Sequence, residues 1–344
     1  MNEKQAVTLL EKMIRIPSPS TGEKKLAMFL KKEFSKKGFK TKIDKAGNFI
    51  ATKGSGKPLL LLEAHMDTVL PVLPVKKSKG VLHGRGTVDT KSTLAAMLIA
   101  ADNAKISKGT LTVAGVVEEE STSNKGALFL KSQIKPDYCI VGEPSSWNAI
   151  SIGYKGTVSF AFEFTAKKTH SSMGMLAGNN FLNFFNELQT HYINEGIETG
   201  PSFNQLLIEL RNADVDDEKT MAFVSLRLPL SIKAGGCISF VNELVKKHQG
   251  RMEVLQSLNP SKQSKNNPLV RALLRGIRSR KGKPFFKVKT GTCNMNLYSD
   301  YWKCPIVVYG PGDSSLDHSD KERIKLSEYL KSVKILQSVI EELL

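Results

Sequence analysis

Four consecutive leucines, Leu59–Leu62, constrain the fold of this chain more than any other feature of its sequence. A strand with one face in water alternates apolar and polar residues, whereas a strand covered on both faces is apolar throughout. The leucine run therefore predicts a strand inside a sheet that has helices on both sides. Helical patterns at 3–15, 22–38 and 91–104 alternate with strand patterns at 40–44, 48–53, 59–64, 110–117, 138–141 and 305–309. The outer parts of the chain are thus predicted to form an α/β domain.

The middle of the chain, between about 155 and 260, has a different order of elements. Every second residue from Val158 to Phe164 is apolar and those between are small or polar, as in a strand with one buried face. A helix at 178–193, strands at 204–211 and 221–230, a helix at 235–248 and a strand at 251–257 follow. This βαββαβ order is typical of ferredoxin-like domains, so we predict a small α+β domain inserted into the larger one.

Charge and cysteine content narrow the functional class. The first 18 residues mix apolar side chains with Glu and Lys, which argues against a signal peptide or a membrane span and favours the cytoplasm. The four cysteines are widely spaced and are expected to be reduced. A net charge of +17 attracts nucleic acid, acidic lipid and acidic protein alike. Because no aromatic-rich basic motif of an RNA-binding module is present, no nucleic-acid partner is expected.

Histidine and carboxylate residues follow several of the predicted strands. His65 and Asp67 come directly after the leucine run, three glutamates at 118–120 end the strand at 110–117, and Glu143 ends the strand at 138–141. Ligands of open α/β sheets collect at the carboxyl ends of strands. A histidine bound to a metal often has a carboxylate partner that orients its ring, and Asp67 could serve His65 in this way.

Two loops add further candidate ligands. Asp89 stands before a predicted helix in the loop GRGTVDTK, and His318 lies in the loop after the last predicted strand. Each has an ordinary explanation when taken alone, since Asp89 could simply cap the helix that follows it. Together with the residues at the strand ends, they predict a metal site of imidazole and carboxylate ligands, a set that suits zinc.

The motifs HMDT, GRGTVDTK, EEE, GEP and DHS, in this order around an inserted domain, resemble those of the M20 metallopeptidases. That family includes acetylornithine deacetylase, succinyl-diaminopimelate desuccinylase, aminoacylase and glutamate carboxypeptidase. The resemblance implies a zinc-peptidase-like catalytic domain with a mixed sheet over 1–154 and 266–344. It also implies that 155–265 form a ferredoxin-like lid and dimerisation domain.

The resemblance implies two metal ions in each chain, either Zn²⁺ or, with the same ligand types, Co²⁺ or Mn²⁺. Asp89 would bridge the two ions. His65 and Glu143 would complete the ligands of one ion, and Glu120 and His318 those of the other. Two such ions lower the pKa of a shared water to about 7, so that hydroxide forms at neutral pH.

Further roles follow from the same resemblance. Glu119 would be the general base, although the family's motif begins with Asp where this chain has Glu118. His170 would stabilise the oxyanion across the interface of a homodimer. Arg227 is a candidate for binding a substrate carboxylate with its guanidinium fork, or else for a salt bridge on the strand face. Asn294 is a second candidate substrate-binding residue.

Segments 290–296 and 309–324 are most similar to family members that act in the amino-group-carrier route to lysine and arginine. Those enzymes release lysine or ornithine from the γ-carboxyl of the terminal glutamate of a small acidic carrier protein, which a basic enzyme would attract. A deacylase or carboxypeptidase acting on a free small molecule is the alternative. A metal-free basic binding protein is a third reading, but it would not need the complete ligand set.

Overall fold

The computed structural model describes residues 1–167, 176–216 and 218–344. The helices within these residues are α1 (Glu3–Ile14), α2 (Lys24–Ser35), α3 (Lys91–Asn103), α4 (Lys125–Gln133), α5 (Leu176–Asn194), α6 (Ala234–Lys247), α7 (Pro268–Ser279), α8 (Asn294–Tyr301) and α9 (Leu326–Leu343). The strands are β1 (Lys40–Ile43), β2 (Phe49–Ser55), β3 (Leu59–His65), β4 (Lys76–Ser78), β5 (Val81–His83), β6 (Gly109–Val116), β7 (Tyr138–Gly142), β8 (Ala149–Tyr154), β9 (Gly156–Thr165), β10 (Leu207–Val215), β11 (Lys219–Leu228), β12 (Gly250–Leu258), β13 (Ser261–Lys262), β14 (Phe285–Lys289), β15 (Ile306–Val308) and β16 (Arg323–Lys325).

The described chain divides into two compact units. The first unit contains Met1–Ile152, Gln263–Lys287 and Cys293–Leu344, and the second contains Gly153–Lys262 and Val288–Thr292. The short segment at 288–292 therefore belongs with the second unit, which the sequence pattern did not indicate. None of the described helices is both long and apolar enough to span a membrane.

The main sheet of the first unit has the strand order β1-β2-β6-β3-β7-β15-β8. Its four central strands, β6, β3, β7 and β15, are parallel to one another, whereas β1, β2 and β8 run antiparallel to their neighbours. The predicted α/β class with a mixed sheet is confirmed. Leu60, Leu61 and Leu62 in β3 have no exposed surface, as the leucine run predicts.

Helix α3 is the most deeply buried helix of the described chain, with every residue from Lys91 to Ala101 buried. It contacts β3 and β6 on one side and α1 and α9 on the other. A helix without a polar face is stable only when neighbours surround it. This position fixes the start of α3, and with it the loop that precedes it, against the sheet.

Strands β3, β6 and β7 end at the same edge of the sheet because they are parallel neighbours. Gly142, the last residue of β7, is necessary for their close approach. A Cβ atom at this position would lie 2.7 Å from Ala64 Cβ and 2.8 Å from Thr93 Cγ2, which is too close for any side chain. The residues that follow the three strands therefore converge on one small region.

The second unit has the element order β9, α5, β10, β11, α6, β12 over its described residues. Its sheet has the strand order β10-β11-β9-β12, and all neighbouring strands are antiparallel. Phe160, Phe162 and Phe164 on β9 are completely buried, and Phe162 and Phe164 pack with Phe184 and Phe181 of α5. The alternation along β9 thus reflects one covered face of this sheet.

Candidate metal centre

Asp89, in the loop before α3, lies between the side chains of two histidines. Its Oδ1 atom is 3.0 Å from His65 Nε2, and its Oδ2 atom is 3.1 Å from His318 Nε2. His65 is the buried last residue of β3, whereas His318 follows the 3₁₀ turn Ser314–Leu316 and its side chain is 52% exposed. A carboxylate that presents each oxygen to a different imidazole is suited to bridge two cations.

Carboxylates from two further strand ends join this group. The Oε1 atom of Glu120 is 3.0 Å from His318 Nε2. His65, Asp89 and Glu120 each offer a ligand atom, and these three atoms lie within 4.8 Å of one another. Glu143 follows β7, and its carboxyl interacts electrostatically with Asp89 and His65. Imidazole nitrogen and carboxylate oxygen from five segments of the chain thus meet at one edge of the sheet.

The electrostatics of this group favour a bound cation. Burial raises the pKa of Glu119 to about 8, an effect that His65 opposes and Glu120 and Asp89 reinforce. Burial and then the neighbouring Asp89 carboxylate raise the pKa of Glu143 well above its usual range. Hydrogen bonds with Asp89 and Glu120 raise the pKa of His318 to about 10. More carboxylates are gathered here than the two imidazoles can balance, and a bound cation would supply the missing positive charge.

Asp67 organises two parts of the site at once. Its main-chain oxygen is 2.8 Å from His65 Nδ1, an arrangement that leaves Nε2 free to face Asp89. Its carboxylate lies 3.6 Å from Nδ1 and instead accepts the main-chain N–H groups of Glu119 at 3.1 Å and Glu120 at 2.9 Å. The hydroxyl of Ser20 donates to the same carboxylate at 2.8 Å. Asp67 therefore holds the ring of His65 and the segment at 119–120 together.

A buried ion pair that the sequence did not single out lies beside Asp89. Glu322 Oε1 accepts the main-chain N–H groups of Val88 at 2.8 Å and Asp89 at 3.1 Å, and Oε2 accepts Arg85 Nη1 at 2.9 Å. Arg85 Nη1 also donates to the carbonyl of Ser319 at 3.1 Å. We call this pair the Arg85–Glu322 clamp. It joins the loop that carries Asp89 to the loop that carries His318.

Two residues in the loops of the site, one of them outside the ligand group itself, have left-handed backbone conformations that residues other than glycine seldom adopt. Glu118 has φ 58° and His318 has φ 57°. Such a conformation costs about 1 kcal/mol or more and persists only where the surroundings enforce it. The main-chain N–H of Glu118 donates to Glu23 Oε1 at 2.9 Å, which helps to hold the turn after β6. Strain of this kind is concentrated at functional sites.

The remaining candidate residues lie elsewhere. The side chain of Asn294 is buried in the first unit and donates to Glu63 Oε1 at 2.9 Å, so it has an internal partner. Arg227 lies on β11 in the second unit, and burial lowers its pKa. It forms no ion pair with any residue in the described ranges. His170 falls outside the described residues.

Comparisons with known proteins agree on one family. Residues 61–342 match the family model described as Peptidase family M20/M25/M40. The [LysW]-lysine hydrolase of Deinococcus radiodurans is 32% identical over 347 residues, covering 97% of this chain and 96% of the relative. The [LysW]-lysine/[LysW]-ornithine hydrolase of Saccharolobus islandicus is 29% identical, covering 99% of this chain and 96% of the relative.

Among solved structures, the M20 family metallo-carboxypeptidase Sso-CP2 from Sulfolobus solfataricus has a TM-score of 0.80 at 17% identity. The match covers 99% of each chain. At this level of identity the likeness concerns the fold alone.

Proposed function

Because the chain belongs to the M20/M25/M40 peptidase family, as its motifs indicate, we propose that it is an amide hydrolase that releases L-lysine or L-ornithine from an acidic carrier protein. The bond cleaved joins the amino acid to the γ-carboxyl of the carrier's terminal glutamate. The observation that carries the hydrolytic part is the Asp89 carboxylate with His65 and His318 on its two oxygens. The names of the full-length relatives support the choice of substrate.

We assign two metal ions to the site, with Zn²⁺ as the first choice and Co²⁺ or Mn²⁺ as alternatives. Asp89 would be shared by the two ions, His65 and Glu143 would hold one, and Glu120 and His318 would hold the other. When bound, the ions lower the pKa of a water molecule and polarise the carbonyl of the amide. The excess of carboxylate over imidazole charge in the site supports this assignment.

Glu119 is the general base in this proposal. Its carboxylate takes a proton from the attacking water, whose oxygen bonds to the amide carbon, and the proton then passes to the amine nitrogen as the C–N bond breaks. The products are the free carboxyl of the carrier and the amino acid. Burial raises the pKa of the Glu119 carboxyl, so its carboxylate is a stronger base than an exposed one.

The second unit contributes to substrate binding in this proposal. Arg227 binds a substrate carboxylate, which is supported by its partial burial and by the lack of an ion pair within the described ranges. His170 stabilises the oxyanion from the other subunit of a homodimer. The support for this last role is the family resemblance.

Substitution of Glu119 by Gln tests the assignment of the base. Glu119→Gln keeps the size of the side chain but removes its basicity, so turnover should fall by about 10²–10⁴-fold while the metal content stays normal. The adjacent Glu118→Gln is the matched control, because the Glu118 carboxylate accepts hydrogen bonds from Ser123 and Lys125 and is not part of the metal centre. Release of amino acid and metal content are measured on the same samples. A Glu119→Gln variant with near-normal turnover would exclude Glu119 as the base.

The substrate is tested by offering two classes of compound to the zinc-loaded protein. One is the carrier protein bearing lysine or ornithine on its terminal glutamate, and the other is acetylornithine. Release from the carrier alone is the expected result. Release from acetylornithine alone would retain the hydrolytic assignment and replace the substrate with a free acyl-amino acid.

A further inference from the structure

One segment of the chain has many cations and no acidic residue. Between Glu253 and Asp300 the sequence has no Asp or Glu, although the whole chain has 33 such residues among 344. The same segment contains ten Lys and Arg residues, at positions 262, 265, 271, 275, 278, 280, 281, 283, 287 and 289. This segment therefore has a high density of positive charge along the sequence. The structure shows where most of its Lys and Arg side chains lie.

Helix α7 carries a row of arginines on its exposed face. Arg271, Arg275 and Arg278 stand at helical spacings of four and three residues, which brings them to the same side, and all three are exposed. Only Arg275 has a carboxylate partner in the described chain, namely Glu342 of α9. Like charges at these spacings repel one another, so an uncompensated row does not serve the stability of the helix.

The turn after α7 extends this basic region. Arg280, Lys281 and Lys283 are exposed, and neither they nor Arg278 forms an ion pair with any residue that the structure describes. Phe285, at the start of β14, is 44% exposed beside them. We call the exposed side chains of Arg271, Arg278, Arg280, Lys281, Lys283 and Phe285 the α7–β14 surface. An exposed aromatic ring among cations is a common feature of protein interfaces.

This surface is linked to the segments that carry the candidate metal ligands. Lys287 Nζ lies 5.5 Å from the centre of the Phe285 ring and donates to Ser146 Oγ at 3.2 Å. Ser146 comes three residues after Glu143, and its main-chain N–H donates to the carbonyl of Gly312 at 2.9 Å. Gly312 belongs to the loop that leads to His318. All of these residues lie in the first unit.

We propose that the α7–β14 surface is the docking site for the acidic protein that carries the substrate, an inference that rests on the proposed function. An acidic protein complements the unpaired cations, and Phe285 offers it an apolar contact. Binding beside the segments of Glu143 and Gly312 holds the carrier close to the loops of the hydrolytic centre. Nucleic acid also binds to positively charged surfaces. A protein is the better fit here, because the adjacent centre is one for amide hydrolysis and Phe285 gives the surface an apolar component.

The test compares two variants with the same change of net charge. The surface variant is Arg278→Gln/Arg280→Gln/Lys281→Gln/Lys283→Gln. The control is Lys25→Gln/Lys32→Gln/Lys36→Gln/Lys40→Gln, which removes four exposed cations around α2 in the same unit. Both are measured by titration with the [LysW] carrier protein bearing lysine on its terminal glutamate, and by the KM and kcat for its hydrolysis. Circular dichroism verifies that each variant is folded.

The surface variant should raise both the dissociation constant and the KM for the carrier by about tenfold or more, and the control by less than about twofold. The single variant Phe285→Ala leaves every charge in place and should also raise the dissociation constant. If the surface variant and the control weakened carrier binding equally, the docking site would be overturned, because the effect would then come from the net charge of the protein.

The two proposals can fail separately. Wild-type protein that hydrolyses the carrier, together with a surface variant that binds it normally, would overturn the docking site and leave the function intact. Wild-type protein that binds the carrier without hydrolysing it, with binding lost in the surface variant, would overturn the function and support the docking site. The docking site would also be overturned if the wild-type protein did not bind the carrier. The same holds if the surface variant bound the carrier normally and lost only its binding to an RNA duplex.

Discussion

At the scale of single residues, two buried carboxylates define the geometry of the centre by accepting main-chain N–H groups. Asp67 accepts those of Glu119 and Glu120, and Glu322 accepts those of Val88 and Asp89. Hydrogen bonds to an ionised group are the stronger ones, and they restrain both the backbone and the ligands attached to it. Neither carboxylate needs to contact a metal ion to influence how tightly the ion is held.

Substitution of Glu322 tests this conclusion. Gln has the shape of Glu, but its NH₂ group must face either the guanidinium of Arg85 or the N–H groups of Val88 and Asp89. We expect zinc affinity to fall by about 10–100-fold. Removal of one partner from the buried ion pair should also lower the free energy of unfolding by about 3 kcal/mol. Competition with a chromophoric chelator measures the affinity.

Glu328→Gln serves as the control for this substitution, because the one ion pair of Glu328 within the described residues is with exposed Lys325 at the start of α9. Its zinc affinity should equal that of the wild type. Rescue distinguishes positioning from a general loss of structure. At saturating zinc, Glu322→Gln should recover most of its kcat, and failure to recover at full metal occupancy would contradict the positioning role.

Residue chemistry explains why the sequence indicated some of these residues and missed others. His65, Asp89, Glu120 and His318 follow strand ends or occupy glycine-bracketed loops, where a ligand is expected, and the structure places them together. Glu322 stands in the charged run Asp320–Arg323, where an acid is ordinarily a surface residue. Only the fold shows that it is 1% exposed.

At the scale of elements, apolar buried segments were predictable and short, partly exposed strands were not. The leucine run predicted β3 and the apolar repeats predicted α3, because both elements are buried on all sides along almost their whole length. Strands β4, β5 and β16 have three residues each and form a separate small sheet, and three residues are too few to show alternation. Their pairing depends on residues far apart in the chain, which a local pattern cannot reveal.

Helix α7, which carries the basic row, depends on its N-terminal cap. The side chain of Asn267 accepts the main-chain N–H of Val270 at 2.9 Å and donates to the carbonyl of Ser264 at 2.8 Å, and Pro268 begins the helix. Asn267→Ala should therefore lower the free energy of unfolding by about 1 kcal/mol. Urea denaturation measures the change.

The neighbouring substitution Asn266→Ala is the control for this cap. The side chain of Asn266 is exposed and accepts a hydrogen bond from Arg271 at the surface, so its removal should change stability by less than about 0.5 kcal/mol. Asn267→Ser, which retains a capping oxygen, should recover part of the loss. Equal effects of the two alanine substitutions would show that the cap does not stabilise α7.

At the scale of the whole molecule, all the candidate metal ligands lie in the first unit. A ligand that binds only the folded state stabilises it, by about 2.7 kcal/mol at a free concentration 100 times its dissociation constant. Zinc should therefore raise the unfolding temperature of the first unit by several degrees, and a chelator should reverse the rise. Differential scanning calorimetry measures this shift. A similar rise in His65→Ala would show that zinc stabilises the protein at some other position.

The position of β15 in the main sheet has a consequence for how the protein is made. This strand lies between β7 and β8, yet it is translated about 150 residues after them, and His318 follows it. At about 5–20 residues per second, a ribosome reaches His318 roughly 10–50 seconds after His65. A nascent chain therefore lacks both the strand that separates β7 from β8 and the last histidine of the centre. Hydrolytic activity can appear only after β15 and the loop that carries His318 have been synthesised.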